Sequence, residues 1–390
     1  MRTLVLLSAF FLPVTLLADE GTVRIATFNV QELSWKKLQD VDADGKGNNP
    51  QLKAAAAIIR TVRPDVLLLN EIDYTGPVDA DGPIERNAAR SFVERYLKGD
   101  DSNGAGLDYP HLFYRATNTG MPTGIDLNND GKSDGPNDAY GFGRYPGEYG
   151  MALLSKFPID EANARTFRKL LWKDVPGNLI PDGMGDRPKF YTAEQLKVFR
   201  LSSKSHWDVP IQLDGKTVHF LCSHPTPPVF DGPEDAHGRR NHDELRFWCD
   251  YLNGGDTAKW IRDDAGRTAP FAAEAAFIVL GDLNADMQRG DTVAGIRPIE
   301  CLLKHPRLID PKPQSAGAIA DASARERFSD SVMLKTSHFG RLDYVLPSKN
   351  LPLKATGVFW PDLKDSGADL ANIASDHRLV WIDIRVTDKR

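Results

Sequence analysis

The sequence predicts an α/β fold: a sandwich whose sheets mix parallel and antiparallel strands. Two observations predict it. Strand-like and helix-like segments alternate early in the chain, and strand-like segments dominate later. No internal repeat or low-complexity stretch divides the chain, so the loops belong to one domain, expected over residues 22–387. The 390 residues are 41% hydrophobic and 26% charged, an ordinary globular balance with enough apolar material for a sizeable core.

The elements follow in order. Thr22–Val30 is rich in β-branched residues and reads as a strand. Gln51–Arg63 reads as a helix stopped by Pro64. Asp65–Asn70 is a short, continuously apolar run, as in a strand buried on both faces. Ile84–Leu97 reads as helical. Further strands are expected at His111–Ala116, Gly150–Ser155, Thr217–Ser223, Ala276–Leu280, Arg341–Leu346, Ala355–Trp360 and Arg378–Ile384. Arg239–Leu252 reads as a helix with Leu245, Trp248 and Leu252 on one face.

The apolar strands stop at polar residues of a particular kind. Asn29 ends the first strand, Asn70-Glu71 the second, and His224 a later one. Gly281-Asp282-Leu283-Asn284 follows another, Asp343 lies within another next to Tyr344, and Ser375-Asp376-His377 precedes the last. Singly, each is a turn residue, a cap or a structural histidine. Together they offer hard oxygen donors suited to Mg²⁺, Mn²⁺ or Ca²⁺, and imidazoles suited to proton transfer. Hydrolysis of a phosphate ester needs both.

In these motifs the chain resembles the endonuclease/exonuclease/phosphatase superfamily: ATFNV with Asn29, LLLNEI with Glu71, YGMALLSKFPI at Tyr149–Ile159, LCSHP with His224, VLGDLN with Asp282 and Asn284, LDYV with Asp343, and SDH with Asp376 and His377. The resemblance runs from about Val23 to the last strand. It implies a four-layer α/β/β/α sandwich of two mixed sheets, with the site at one sheet edge. It also implies a Mg²⁺ or Mn²⁺ ion on Glu71, with Asn29 beside it and Asp376 either behind these ligands or on a second metal. Asp282 and Asn284 would position water and a phosphate oxygen, and Asp343 would orient His377. His224 would serve the leaving group or the phosphoryl oxygens, and Tyr149 would contact phosphate. The general base stays open between Asp282 and His377.

Three regions read as insertions into that pattern: Tyr74–Tyr149, Asp160–Ser205 and Pro225–Gly238. After the third, Arg239 and Arg240 are either a phosphate clamp or part of a solvated helix start. Asp126, Asn128, Asp130 and Asp134 follow the opening of a calcium loop, with Gly131 at the turn but no closing glutamate, so a structural Ca²⁺ is expected there.

Arg2, the apolar run Leu4–Leu17 and Ala18 read as a signal peptide over residues 1–18, which places the mature protein in the periplasm or outside the cell. No later segment is long enough to span a membrane. Export permits a Cys222–Cys249 disulfide. The net charge of −6 excludes a basic coat for nucleic acid, though not catalytic visits to it. The expected partner is a phosphoester substrate, nucleic acid included; no protein partner is evident. A phosphodiesterase leads, with a phosphomonoesterase and a non-catalytic calcium-binding module as alternatives.

Overall fold

In the computed structural model, residues 21–77, 84–99, 105–183, 190–321, 332–365 and 367–386 are described. The expected signal peptide lies outside them. The strands are β1 (Thr22–Leu33), β2 (Val66–Ile72), β3 (His111–Phe113), β4 (Gly150–Ser155), β5 (Arg165–Thr166), β6 (His206–Leu213), β7 (Lys216–Ser223), β8 (Ala276–Asp282), β9 (Asp343–Pro347), β10 (Leu353–Val358) and β11 (Val380–Arg385). They form a six-stranded sheet, β10-β11-β1-β2-β4-β3, and a five-stranded sheet, β5-β6-β7-β8-β9. Both are mixed: β1–β2 and β7–β8 are parallel pairs among antiparallel ones.

The period-2 alternation of side chains builds the layers. On β2, Val66 and Leu68 face the second sheet, while Leu67 and Leu69 face outward. On β8, Ile278 and Leu280 face the first sheet, while Phe277 and Val279 face outward. The core between the sheets is therefore drawn from both. The helix Pro50–Val62 covers the outer face of the first sheet with Leu52, Ile58 and Ile59. Asn49 caps its start by accepting from the Leu52 N–H, Pro50 occupies the first turn, and Arg63 ends it in a left-handed conformation. The helix Ala236–Asn253 covers the second sheet with Leu245, Phe247, Trp248 and Tyr251. This is the four-layer arrangement.

One strand was not read from the sequence, and one expectation needs correction. His206–Leu213 is a full strand inside the second sheet, although its sequence contains Pro210. The neighbouring β5 is only two residues long and pairs with Trp207 and Asp208, so a missing N–H at Pro210 breaks no ladder on that side. The disulfide joins Cys249 to Cys301, with Cα atoms 6.3 Å apart, and Cys222 is free and buried. Cys222 points into the core between the sheets, whereas Cys249 packs in the outer layer with Cys301, so the two face opposite sides of a sheet.

The region Asp160–Ser205 is more than a surface insertion. Phe167, Trp172, Tyr191, Phe199 and Leu201 are buried in the outer core of the second sheet.

Candidate active site

Strand direction brings the polar residues to one edge. Parallel strands deliver them from their C-terminal ends: Asn29 from β1, Glu71 from β2, His224 just after β7, and Asp282 from β8. Antiparallel strands deliver them from their N-terminal ends: Tyr149 before β4, Asp343 at the start of β9, and His377 before β11. Local irregularity aims them. Gln31 and Glu32 have positive φ, and the β1–β2 register shifts between Asn29 and Leu33. Glu71 itself has φ of 64°, at the shift in the β2–β4 register. Such bulges redirect side chains at the ends of sheets. Gly281 has φ of 143°, and a Cβ there would stand 2.0 Å from the Ser223 carbonyl, so only glycine allows β8 to approach β7 just before Asp282.

Asp282 Oδ2 is the centre of the arrangement. The Asn29 amide Nδ2 donates to it at 2.9 Å and to Glu71 Oε1 at 3.1 Å. His224 Nε2 lies 3.5 Å from the same oxygen, and His377 Nε2 lies 3.7 Å from it. Asp282 Oδ1 accepts from the Asn284 N–H at 3.0 Å, and Asn284, with φ of 50°, donates its own amide to the Pro225 carbonyl at 3.2 Å. Glu71 Oε2 takes the Glu32 N–H at 3.1 Å. His377 Nδ1 is 2.9 Å from Asp343 Oδ2, which also accepts from Thr336 Oγ1 at 2.8 Å. The carboxylate fixes the tautomer and directs Nε2 at Asp282. Ser375 ties the last loop down, donating to the Asn29 carbonyl at 2.7 Å and accepting from the His377 N–H at 3.0 Å.

Burial sets the electrostatics. It raises the Glu71 carboxyl above the usual range, against the Asn29 hydrogen bond. It pushes Asp282 up to about 6, partly opposed by His377. Burial also disfavours charge on His377, but Asp343 and Asp282 outweigh it and hold the imidazolium well above its ordinary range. His224 has no such carboxylate of its own; burial, Lys204 and His377 keep it neutral.

Asp282, Asp343 and His377 stand close enough to share an ion. However, Asp343 Oδ2 already receives His377 and Thr336, which is the geometry of a proton relay. Glu71 and Asp282 fit a cation better. Asp282 is buried and Glu71 half-buried, both touch the one Asn29 nitrogen, and among the described residues no lysine or arginine pairs directly with either. Those hard donors suit Mg²⁺ or Mn²⁺.

Four sequence expectations fare differently. Asp376 contacts the Ser375 hydroxyl at 3.4 Å and acts on His377 through its charge, and no contact joins it to Glu71. The Tyr149 hydroxyl donates to Glu32 Oε1 at 3.0 Å, and Arg144 donates to that hydroxyl at 3.3 Å, so Tyr149 belongs to a cluster beside Glu71. Arg240 departs from the clamp expectation. It is buried, lies over the Phe199 ring, and donates to the carbonyls of Leu201, Arg200 and Tyr140, holding the insertions together. Arg239 faces Asp235 at 3.9 Å. In the expected calcium loop, Asp126 accepts from the Asp130 and Gly131 N–H groups, and Asn128 and Asp130 bond to each other and to the turn. Asp134 is exposed and stands outside these bonds.

In the sequence Ser375 has a place but no role, and Thr336 and Lys204 have neither. Ser375 was readable as the neighbour of Asp376-His377; Thr336 and Lys204 lie in irregular segments with no local signal.

The endonuclease/exonuclease/phosphatase family model matches residues 26–377, almost the whole described chain. The chain belongs to this family. Its fold is similar to that of an endonuclease/exonuclease/phosphatase from Beutenbergia cavernae, at 18% identity and a TM-score of 0.50, over 94% of this chain and 72% of that one. A family protein from Leptotrichia buccalis is 17% identical over 93% of this chain and all of that one, with a TM-score of 0.48. The human nocturnin catalytic domain is 14% identical over 94% of each chain, with a TM-score of 0.45. No curated protein matches the chain in sequence. Members of the endonuclease/exonuclease/phosphatase family are hydrolases of phosphoester bonds, and the cluster just described lies where the family motifs meet.

Proposed function

We propose that this chain is an exported, divalent-metal-dependent phosphodiesterase. The observation that carries the reading is the convergence of two imidazoles and the Asn29 amide on Asp282 Oδ2, with Glu71 on the other side of that amide. Glu71 and Asp282 would hold Mg²⁺ or Mn²⁺, with the Asn29 amide setting their spacing, and the ion would neutralise charge on a phosphoryl oxygen. Asp282 is placed to orient and deprotonate water. His377, charged and fixed by Asp343, faces that same position and stabilises negative charge there. Neutral His224 offers a second proton carrier for the leaving oxygen.

A diester is favoured over a monoester by the surroundings. A cleft of about 1090 Å³ reaches Glu32, whose N–H bonds Glu71; its lining holds the cations Lys36, Lys37, Arg86 and Arg144, the carboxylates Glu32, Asp40 and Asp73, and the Trp35 ring. Cations with an aromatic plate suit a substrate that continues beyond the scissile phosphate, as a nucleic acid does. A clamp for a small monoester would need free cations after His224, and Arg240 is engaged by carbonyls instead. Export is supported by the Cys249–Cys301 disulfide, since such bonds persist in oxidising compartments.

The test is hydrolysis of bis-aryl phosphate against its mono-aryl analogue, with chelator and then with Mg²⁺ or Mn²⁺ restored. Faster metal-dependent diester cleavage is expected, and DNA and RNA are the next substrates. Faster monoester cleavage, or turnover that survives chelation, would overturn the reading.

A further inference from the structure

We propose that Lys204 is a substrate-binding residue of this site: its ammonium and the Asn284 carboxamide together hold a non-bridging oxygen of the phosphate. The inference rests on the phosphoesterase reading above.

Lys204 lies in the irregular segment just before β6, and only 7% of it is exposed. Its backbone is pinned by the Asn118 N–H on its carbonyl at 2.9 Å and by the neighbouring Ser203 N–H on Glu244 Oε1 at 2.7 Å. Nζ ends 3.5 Å from the Pro225 carbonyl, the same oxygen that accepts from Asn284 Nδ2 at 3.2 Å. Two donor groups therefore stand side by side at one carbonyl, next to His224 and within electrostatic reach of Glu71 and Asp282.

An ammonium carries three donors, and 3.5 Å is beyond the usual hydrogen-bond range. Among the described residues no carboxylate pairs with Nζ directly. Glu244 is the nearest in effect, but its two oxygens accept the Ser203 and Thr226 N–H groups at 2.7 Å each. Arg240 is the other cation on this side, and it is engaged by carbonyls. A buried lysine with nearly all its donors unused is a poor filler of space, because charge is costly to bury without partners. A phosphate oxygen entering beside Asn284 provides the missing acceptor. It also uses the charge where negative charge accumulates during displacement. No proton leaves Lys204 in this role.

The competing explanation makes Lys204 the counter-ion of buried Glu244. Three variants separate the two: Lys204→Met, Lys204→Arg and the double variant Lys204→Met/Glu244→Gln. Each is measured for thermal stabilisation by inorganic phosphate in the metal-loaded protein, and for kcat/KM on the bis-aryl diester. The inference expects Lys204→Met to bind phosphate roughly 10- to 100-fold more weakly and to lose about 10²-fold in kcat/KM. It expects Lys204→Arg to recover part of both and the double variant to recover neither. Unchanged phosphate affinity in Lys204→Met would overturn it, and so would full recovery in the double variant. Wild-type protein that binds phosphate through Lys204 yet cleaves no phosphoester would instead sink the functional reading and leave this assignment standing.

Discussion

Asp282 Oδ2 gathers an amide and two imidazoles within 3.7 Å, and each neighbour arrives on a different strand end. The two histidines differ because of what stands behind them. Asp343 lies 2.9 Å behind His377, while His224 Nδ1 is buried with no partner. The same burial therefore yields one charged and one neutral ring. His377→Ala is expected to cut kcat by about 10²–10⁴-fold and, because it leaves the buried Asp343 carboxylate without its imidazole, to lower the melting temperature as well. A variant that turns over normally would remove His377 from the mechanism. Glu71→Gln keeps the shape and halves the donor set. It should raise the Mg²⁺ concentration needed for half-maximal rate, and a metal titration of activity would show it.

At the scale of elements, strand ends carry the chemistry and strand middles carry the stability. Leu68 on β2 is fully buried between the sheets. Leu68→Ala should cost about 2–5 kcal/mol in denaturant unfolding. Strand β6 supplies a pH dependence. His206 is enclosed by Phe247 and Trp248, with Ser202 Oγ at its Nδ1 and the Glu244 carbonyl at its Nε2. Burial lowers it to about 3, from an ordinary value of 6.5. Between those values the unfolded chain binds the proton more readily than the folded one. Its contribution is therefore complete above pH 6.5 and is lost as the pH falls toward 3. His206→Gln should flatten the fall in unfolding free energy between pH 6.5 and 4.5, by up to ~1.4 kcal/mol per pH unit. Parallel slopes in the two proteins would contradict this.

Across the whole molecule, one site is assembled from both sheets, so anything that loosens their packing reaches the chemistry. The Cys249–Cys301 bond closes a loop of 52 residues that runs from the outer helix past β8 and the Asp282 loop. By chain entropy its removal should cost about 4 kcal/mol. Cys301→Ser is expected to melt earlier and Cys222→Ser, an unpaired position, to leave reductant sensitivity unchanged. Equal melting of Cys301→Ser and wild type would show that the bond does not form. Among the described residues no helix is long and apolar enough to cross a membrane.

Much of this was legible from local pattern. A polar residue at the end of an apolar run is visible in the sequence, because alternation and run length are properties of neighbours. Asn29, Glu71, His224, Asp282, Asn284, Asp343 and His377 were all found that way, and strand direction alone then explains why they share an edge. Other features depend on which face of a sheet a residue takes and what lies opposite. Cys222 and Cys249 look equally available in sequence but sit on opposite sides of the second sheet. Arg240 follows the catalytic-looking His224 loop, yet its guanidinium is drawn inward by three carbonyls of the insertions. Strand β6 hides behind Pro210, which only a short neighbouring strand makes harmless. Lys204 gains its meaning from Pro225 and Asn284, distant in sequence. Such contacts are set by long-range packing, and only the tertiary structure decided them.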